Sequence, residues 1–434
     1  MLPRIAEGSH RQPVSPPKAG SPIVIAMNLS SASATPTSHS MPEAGQTRLG
    51  VFRVMVSASL ALGLLWARTD HLTPDHPWWS FPGDHHIYLL MADRPVGDLH
   101  LAPWGWRILG PWLAHVFPGS HQVGFQLVCW MSLVLAATFV YRICLRLGFD
   151  VRLAFCGLLL FVSVSFATKY VMFDFWLTDP LAFAFISLAV LLAVEQRLVA
   201  FAICLAFGVL VKESVLFAAP LLYTFGAQRP LDRRALWRAT VATAPALMVL
   251  LAVRIAIPAW NGQQYAQSLP SLIAANARTV PDYSALAVAR EVVTRRMADL
   301  PATRVRAVSA FGLLVGVLPL LGGRCARPLA VRFAPFLVLV ALQLVFAYNT
   351  QRLLVLAFPA VIPLALCGLR SLRERGVPNV ALLGTCGVFA GLQLLSPDEV
   401  APSPILQAAV LALCAAWMWA SARRVPRPAV AVPA

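Results

Sequence analysis

The sequence predicts an all-α, polytopic helical membrane protein, with about 12 transmembrane helices and two longer outward loops that carry short helices. Three observations support this class. Hydrophobic residues make up 58% of the chain and charged residues only 12%, whereas a soluble protein carries about a quarter charged residues. The apolar residues form long runs, as membrane-spanning helices require. Short basic loops separate these runs.

Residues 1–48 differ from the rest in being rich in Ser, Pro, Ala, Gly and Thr without apolar periodicity. This composition predicts a disordered cytoplasmic tail. The first long apolar run comes too late for a secretory signal. We predict one transmembrane domain over residues 49–422 and a second, short cytoplasmic tail over residues 423–434.

The number and direction of the spans depend on the segment 198–226. If it forms two short helices joined at Lys212-Glu213, every strongly basic loop lies on one side of the membrane; if it forms one helix, everything after Arg229 is reversed. The positive-inside rule therefore favours two helices and places both termini in the cytoplasm. The predicted spans are 50–67, 122–142, 153–171, 180–195, 198–211, 214–226, 236–257, 307–322, 331–348, 353–369, 380–396 and 405–421.

Topology also explains the formal net charge of +16, which in a soluble protein would indicate nucleic acid. The arginines lie mostly between spans, and no zinc-finger spacing or basic stripe with interleaved aromatics occurs. The lipid bilayer is thus the expected partner, and nucleic acid is not. Eight cysteines form no CxxC pair, so neither a disulfide framework nor a Cys-ligated metal is indicated.

Two long segments face outward in this topology, 68–121 and 258–306. The first holds the densest cluster of ionisable and aromatic side chains in the chain. The second carries an amphipathic stretch, 285–297, which could lie flat on the membrane surface with Arg290, Arg295 and Arg296 on its polar face. Shorter outward connections hold Asp174, Lys212-Glu213 and the residues 349–352.

Asp84 is the leading candidate for chemistry in the first outward loop. A carboxylate near the membrane surface can act as a general base toward a hydroxyl or hold a metal. Asp is also favoured as a helix N-cap, and one residue could serve both purposes. The adjacent His85 and His86 would point about 100° apart on a helix, so a solvent-exposed interfacial pair is favoured over shared metal ligation. Tyr88 fits an interface aromatic.

Further candidates are aromatic or charged side chains at the predicted outer edge. Trp104 and Trp106 could stack on a sugar face and Arg107 could bind a phosphate; the alternative is an aromatic belt with Arg107 paired to lipid headgroups. Asp179-Pro180 fits a structural helix start.

Asp174 has no such structural explanation and is the better second acid. Lys212 and Glu213 fit a salt-bridged helix junction. Arg352, next to Gln351, is costly to hold at the membrane edge without an anion.

The order of these motifs resembles that of a known family. Asp84 with Tyr88 four residues on, followed by APWGWRILGPWL over 102–113, resembles the D…Y…APFxYRxLxPxL pattern of bacterial GT-C-type membrane glycosyltransferases. The stretches VKES at 211–214 and TQRLL at 350–354 are also similar. The resemblance implies transfer of a sugar from a polyprenyl-phosphate donor to a glycan, lipid or protein acceptor at the outer face of the bacterial cytoplasmic (inner) membrane.

The resemblance implies a role for particular residues. Asp84 would be the general base, and Arg107, Lys212 and Arg352 would bind the donor phosphate. The remaining candidates are assigned to substrate binding: His85, His86, Tyr88, Trp104, Trp106, Asp174, Glu213 and Gln351. The chain departs from the pattern in its His-His pair after Asp84 and in Trp where Phe or Tyr is commoner. The paired acids of metal-dependent members are not evident, so no metal site is predicted and the use of a divalent cation is left open.

Two other functions share this topology and these substrates. One is a transporter or flippase of a lipid-linked cell-envelope polysaccharide precursor, which would need phosphate-binding arginines but no base. The other is a polymerase of such a precursor. Few ionisable residues lie in the middle of the predicted spans, which favours a transferase over a transporter.

Overall fold

The computed structural model describes residues 44–81, 83–258, 260–261, 285–347, 349–395 and 401–424. The described residues from Arg48 onward form one compact unit. Residues 1–43 of the predicted tail, part of the second predicted outward loop (262–284) and residues 425–434 lie outside the described residues. The first helix begins at Ala44, within the stretch predicted as a tail.

The described residues are 79% helical, which confirms the predicted all-α class. One pair of two-residue parallel strands, β1 (Leu101–Ala102) and β2 (Trp260–Asn261), joins the two predicted outward loops. The α-helices are α1 (Ala44–Ala67), α2 (Asp84–Ala92), α3 (Leu109–Val116), α4 (His121–Arg146), α5 (Val151–Ser163), α6 (Lys169–Phe173), α7 (Asp179–Val194), α8 (Leu198–Gly208), α9 (Ala219–Gly226), α10 (Arg233–Ala256), α11 (Ala285–Ala298), α12 (Leu300–Ser309), α13 (Leu313–Leu321), α14 (Gly323–Leu342), α15 (Thr350–Leu354), α16 (Phe358–Glu374), α17 (Asn379–Leu392) and α18 (Pro404–Arg424). Short 3-10 segments occupy Pro77–Ser80, Trp104–Trp106, Ser165–Ala167, Glu213–Ala218, Gln343–Val345 and Val355–Ala357.

The number of helices able to cross a membrane is lower than predicted. Among the described residues six are long and apolar enough, and a bent pair over Val151–Phe173 raises the number to seven. The prediction of about 12 spans is therefore wrong by this measure. Most other predicted spans are helices, but they are short: α7 has 16 residues, α8 has 11 and α17 has 14. A straight span needs about 20 residues.

Two of the interrupted helices place polar residues inside the protein. The chain bends by 80° between α5 and the segment Ser165–Phe173, just before Asp174. Past α8, the backbone at Lys212 is extended, with φ −164° and ψ 130°. A Cβ on Gly208 would lie 2.5 Å from Val215, so glycine allows the following 3-10 segment to pack against α8. Irregular backbone at membrane depth is tolerated where the protein buries it.

The long helices divide into inner and outer ones. The span that comprises α15 and α16 is 83% buried and packs against α13, α14 and α5. By contrast, α10 is 17% buried and exposes Leu247, Met248, Leu251 and Ile255. A helix with an exposed apolar face of this kind is suited to contact with lipid.

The two ends of the bundle carry different charges. At the C-terminal ends of α4 and α7, Arg146 donates to Glu195 at 2.8 Å and Arg142 donates to the same carboxylate at 3.4 Å. Arg373 near the end of α16 pairs with Asp150 at the start of α5. The N-terminal end of α7, at Asp179, lies at the opposite end of the bundle and carries the site described next.

Candidate functional site

Six charged side chains from distant parts of the chain meet at one end of the bundle. They are three acids and three cations: Asp84, Asp179, Glu213, Arg107, Lys212 and Arg352. We call them the charged cluster. The first residues of α2 and α7, the loop after Trp106, the break between α8 and α9, and α15 supply them. Five of the six were sequence-predicted site residues.

Arg352 is the central cation of the charged cluster. Its Nη1 lies 2.6 Å from Asp84 Oδ2, and its Nε lies 2.6 Å from Asp179 Oδ2. Asn349 caps α15 by accepting from the Arg352 backbone N–H at 3.1 Å, which orients the helix that carries the guanidinium. One arginine thus connects the first predicted outward loop with the start of α7.

Asp179 is the cluster residue that sequence reasoning missed. The N-cap of α7 is Thr178, which makes no side-chain capping bond, and Asp179 is the first helical residue. Its fully buried carboxylate accepts from Lys212 Nζ at 2.5 Å as well as from Arg352. The structural interpretation of Asp179 as a cap was therefore wrong. The signal that could have identified it is its place directly before a long apolar run. An acid in that place is buried when the apolar helix packs, and a buried carboxylate requires a cation as its partner.

Arg107 forms the second branch of the cluster. It donates to Glu213 through Nη2 at 2.8 Å and Nε at 3.2 Å, the two-pronged geometry typical of arginine and carboxylate. Its Nη1 donates to Tyr88 Oη at 3.3 Å, and Thr178 Oγ1 donates to the same oxygen at 3.3 Å. A backbone bond from Leu109 to Leu210 holds the loop against the end of α8. Tyr88 is thus buried within the site and is not an interface aromatic.

Asp84 is not the N-cap of α2, because Gly83 occupies that position and Asp84 is the first helical residue. Its Oδ1 accepts from Trp104 Nε1 at 3.0 Å, and its Oδ2 accepts from Arg352. Burial raises the pKa of Asp84, but the charge and the hydrogen bond of Arg352 outweigh burial and leave the pKa below its usual value. Asp84 is therefore a carboxylate held by two donors.

His85 and His86 are not the solvent-exposed pair that was predicted. His85 is 5% exposed, and its ring centroid lies 4.2 Å from that of His86. Trp79 packs against both rings at 4.9 Å, so His85 is buried and His86 is half-buried. Burial, together with the neighbouring His86, lowers the pKa of His85 to about 4. His85 is consequently neutral at pH 7 and is not a cation for phosphate.

The two tryptophans and Gln351 lie in separate environments. Trp104 contacts the charged cluster through Asp84, whereas Trp106 donates to the Ile257 carbonyl at 3.0 Å. The guanidinium of Arg254 lies 4.4 Å from the centre of the Trp106 ring. Gln351 donates to Ser309 Oγ at 3.4 Å. Of these three predicted substrate contacts, the structure brings only Trp104 to the cluster.

Asp174 lies beside the charged cluster and is 9% exposed. It lies on the turn that leads from α6 to Asp179, and the charges of Arg352, Asp84 and Asp179 affect its pKa. Within the described residues its Oδ1 is buried without a hydrogen-bond partner, and no cation forms an ion pair with it. The second-acid candidate is thus at the site.

The helix α11 is attached to the same region. Arg296 donates to Thr350 Oγ1 at 2.5 Å and to the Ala347 carbonyl at 2.6 Å. Arg295 pairs instead with Glu291 on its own helix. Arg296 therefore points toward the segment that carries Arg352, rather than along the exposed polar face predicted for this helix.

No group of three or more His, Cys, Asp or Glu side chains is placed to hold a metal ion within the part of the chain that the structure describes. The acids of the charged cluster instead pair with arginine or lysine. Such an arrangement can bind an anion by exchanging a carboxylate partner for a phosphate, since arginine and lysine bind both.

The fold and the site together define a helical membrane protein with a buried polar centre at one end of its bundle. Comparison of the chain with protein-family models, with characterised proteins and with solved structures found no match. The functional argument therefore depends on the site itself.

Proposed function

We propose that the protein is a membrane glycosyltransferase of GT-C type. It would move a sugar from a polyprenyl-phosphate donor to an acceptor hydroxyl at the outer face of the cytoplasmic membrane. The observation that supports this most is the convergence of Arg107, Lys212 and Arg352, the three cations assigned to the donor phosphate, on one buried site. In the sequence, each of these three residues is more than a hundred positions from the next.

The chemistry requires a fixed positive site near acids. The acceptor hydroxyl attacks the anomeric carbon, the bond from that carbon to the phosphate oxygen breaks, and polyprenyl phosphate leaves with the bonding electrons. Preorganised cations stabilise the charge that develops on the leaving phosphate. A carboxylate takes the hydroxyl proton. Both kinds of group are present at the charged cluster, with Asp84 the base that the family resemblance implies.

Charge distribution supports an outward-facing site. The pairs of Arg142 and Arg146 with Glu195, and of Arg373 with Asp150, lie at the bundle end away from the cluster. Arginine-rich loops favour the cytoplasm. The cluster end would then face outward, where a lipid donor in the bilayer can meet a polar acceptor, with both termini of the chain in the cytoplasm.

The test uses purified full-length protein in lipid nanodiscs, supplied with polyprenyl-phosphate hexoses and pentoses and a glycolipid extract as acceptor. Sugar transfer is followed by mass spectrometry for the wild type, Arg107→Gln and Arg94→Gln. Arg94 pairs with Asp98 in the same loop but outside the cluster, so it is the matched control. We expect transfer by the wild type and the control, and a loss of about a hundredfold or more in Arg107→Gln.

Two results would contradict the proposal. Donor binding without sugar transfer in every variant would favour the transporter or flippase. Equal transfer by Arg107→Gln and the wild type would show that the charged cluster is not the phosphate site.

A further inference from the structure

Asp174 differs from the three acids of the charged cluster in its partners. Asp84, Asp179 and Glu213 each form an ion pair at 2.5 to 2.8 Å. Asp174 forms none with the described residues, and its Oδ1 is buried without a hydrogen-bond partner. Buried polar atoms in folded proteins nearly always have a partner. An unpartnered carboxylate oxygen at the edge of a polar site is therefore suited to a hydrogen bond from a substrate atom.

The backbone holds Asp174 in a defined position. It follows α6 directly, its N–H donates to the Tyr170 carbonyl at 3.0 Å, and its own carbonyl accepts from Leu177 at 3.3 Å. The preceding turn is held from α4, because Cys129 donates to the Val171 carbonyl at 3.3 Å. The carboxylate is thus carried by a turn with fixed hydrogen bonds rather than by a free loop.

Charged and titratable groups surround Asp174 on several elements. Arg352 on α15, Asp84 on α2 and Asp179 on α7 act on its charge. Asp174 in turn acts on the titration of Tyr170 on α6 and Cys129 on α4. Arg352 is the cation among these five groups, and it is already shared by two other carboxylates. Lys169, buried at the start of α6, has a contact of its own and forms no ion pair with Asp174.

We propose that Asp174, rather than Asp84, accepts the proton of the acceptor hydroxyl during sugar transfer. This assignment rests on the proposed function. As the new bond forms between the acceptor oxygen and the anomeric carbon, the hydroxyl proton passes to the free Asp174 oxygen. The carboxylate becomes a carboxylic acid, polyprenyl phosphate departs with the electrons of the broken bond, and the proton is later released to water. Asp84 then acts as a positioning residue that holds Arg352 toward the phosphate.

The pKa values of Asp174 and Asp84 agree with these two roles. The pKa of Asp174 is raised to about 7, because burial and the charges of Asp84 and Asp179 raise it by more than Arg352 lowers it. A general base works best when its pKa lies near the working pH. Asp84 has a lowered pKa and two donors on its carboxylate, so it is a weak base while those contacts last.

Steady-state sugar transfer in nanodiscs, measured from pH 5 to pH 9, separates the two roles. We expect Asp174→Asn to lower kcat by about a hundredfold or more, with the donor KM little changed. The wild-type kcat should rise with pH through about 7, the pH at which Asp174 loses its proton. Asp174→Glu should be more active than Asp174→Asn, and its kcat should rise with pH at a different pH from that of the wild type. Asp84→Asn should mainly raise the donor KM, because it loosens Arg352.

The outcomes distinguish this inference from the proposed function. A wild-type enzyme that transfers sugar, with an Asp174→Asn variant of normal kcat, would overturn the inference alone. The inference alone would also be overturned if the rise of kcat near pH 7 were lost in Asp84→Asn and kept in Asp174→Asn. A wild type that transfers no sugar would overturn both. Infrared difference spectra against Asp174→Asn add a readout without turnover: a protonated carboxyl band at pH 6 that is lost at pH 8 supports the assignment, and its absence at pH 6 contradicts it.

Discussion

Arg352 Nε lies 2.6 Å from Asp179 Oδ2, although 173 residues separate the two along the chain. The same guanidinium reaches Asp84, which lies 268 residues away in sequence. The start of α7, the start of α2 and the short helix α15 are therefore fixed to one another by a single side chain. This connection makes the charged cluster a structural centre of the fold.

Loss of this connection should destabilise the protein. Arg352→Gln leaves the fully buried Asp179 with Lys212 alone, and breaking a buried pair costs about 3–5 kcal/mol. We expect a clearly lower midpoint of thermal unfolding in detergent. Arg306→Gln is the control, because its partner is an exposed Asp299 at 3.6 Å and such pairs contribute about 0–1 kcal/mol. Equal midpoints for the two variants would show that Arg352 contributes no net stability.

The burial of Asp174 should make stability depend on pH. Because its folded-state pKa is raised to about 7 from an unfolded value near 3.8, the folded protein binds more protons between these limits. Stability should therefore fall as pH rises through this window. Asp174→Asn removes that loss. At pH 8 its free energy of unfolding should exceed that of the wild type by up to about 4 kcal/mol, and it should unfold at a higher temperature; below about pH 4 the two should unfold at similar temperatures. Asp98→Asn, an exposed acid in the first loop, serves as the control. A constant difference between Asp174→Asn and the wild type at all pH values would contradict the assignment.

Close packing of α13 on α16 depends on Gly368. A Cβ at this position would lie 2.1 Å from the Leu318 carbonyl oxygen, which belongs to the backbone and cannot rotate away. Gly368→Ala should therefore destabilise the protein by about 1–3 kcal/mol. Gly387→Ala on α17 has open space around the new methyl group and should be neutral or stabilising by about 0.5–1 kcal/mol. Thermal unfolding of the two variants in detergent measures the contrast, which would be absent if α13 and α16 were not packed as described.

The orientation of the cluster end can be measured by cysteine labelling in intact cells. On a Cys325→Ser background, which removes the exposed native thiol, Asp98→Cys reports on the first predicted outward loop. Leu231→Cys, at an 86% exposed position, reports on a predicted cytoplasmic loop. We expect a membrane-impermeant maleimide to label Asp98→Cys directly and Leu231→Cys only after permeabilisation. The reverse pattern would place the charged cluster on the cytoplasmic side.

Sequence reasoning was most successful where the information is local. Apolar runs predicted helical segments, and the density of polar residues in 68–121 predicted the region of Asp84, Tyr88 and Arg107. Helix length was less predictable. The predicted break at Lys212 between the segments 198–211 and 214–226 is confirmed, but the helices on either side of it have only 11 and 8 residues.

By itself, then, the sequence determined that this is a helical membrane protein, and it singled out five of the six residues that form the charged cluster. Only the tertiary structure decided which acid meets which cation. Asp179 looked like a helix cap and is a buried ion-pair partner, while Asp174 lies beside the same arginine without an ion pair to any described residue. The physical reason is that these pairings join residues 33 to 268 positions apart. Helix and turn propensities act over a few neighbouring residues, whereas such contacts are set by how the helices pack.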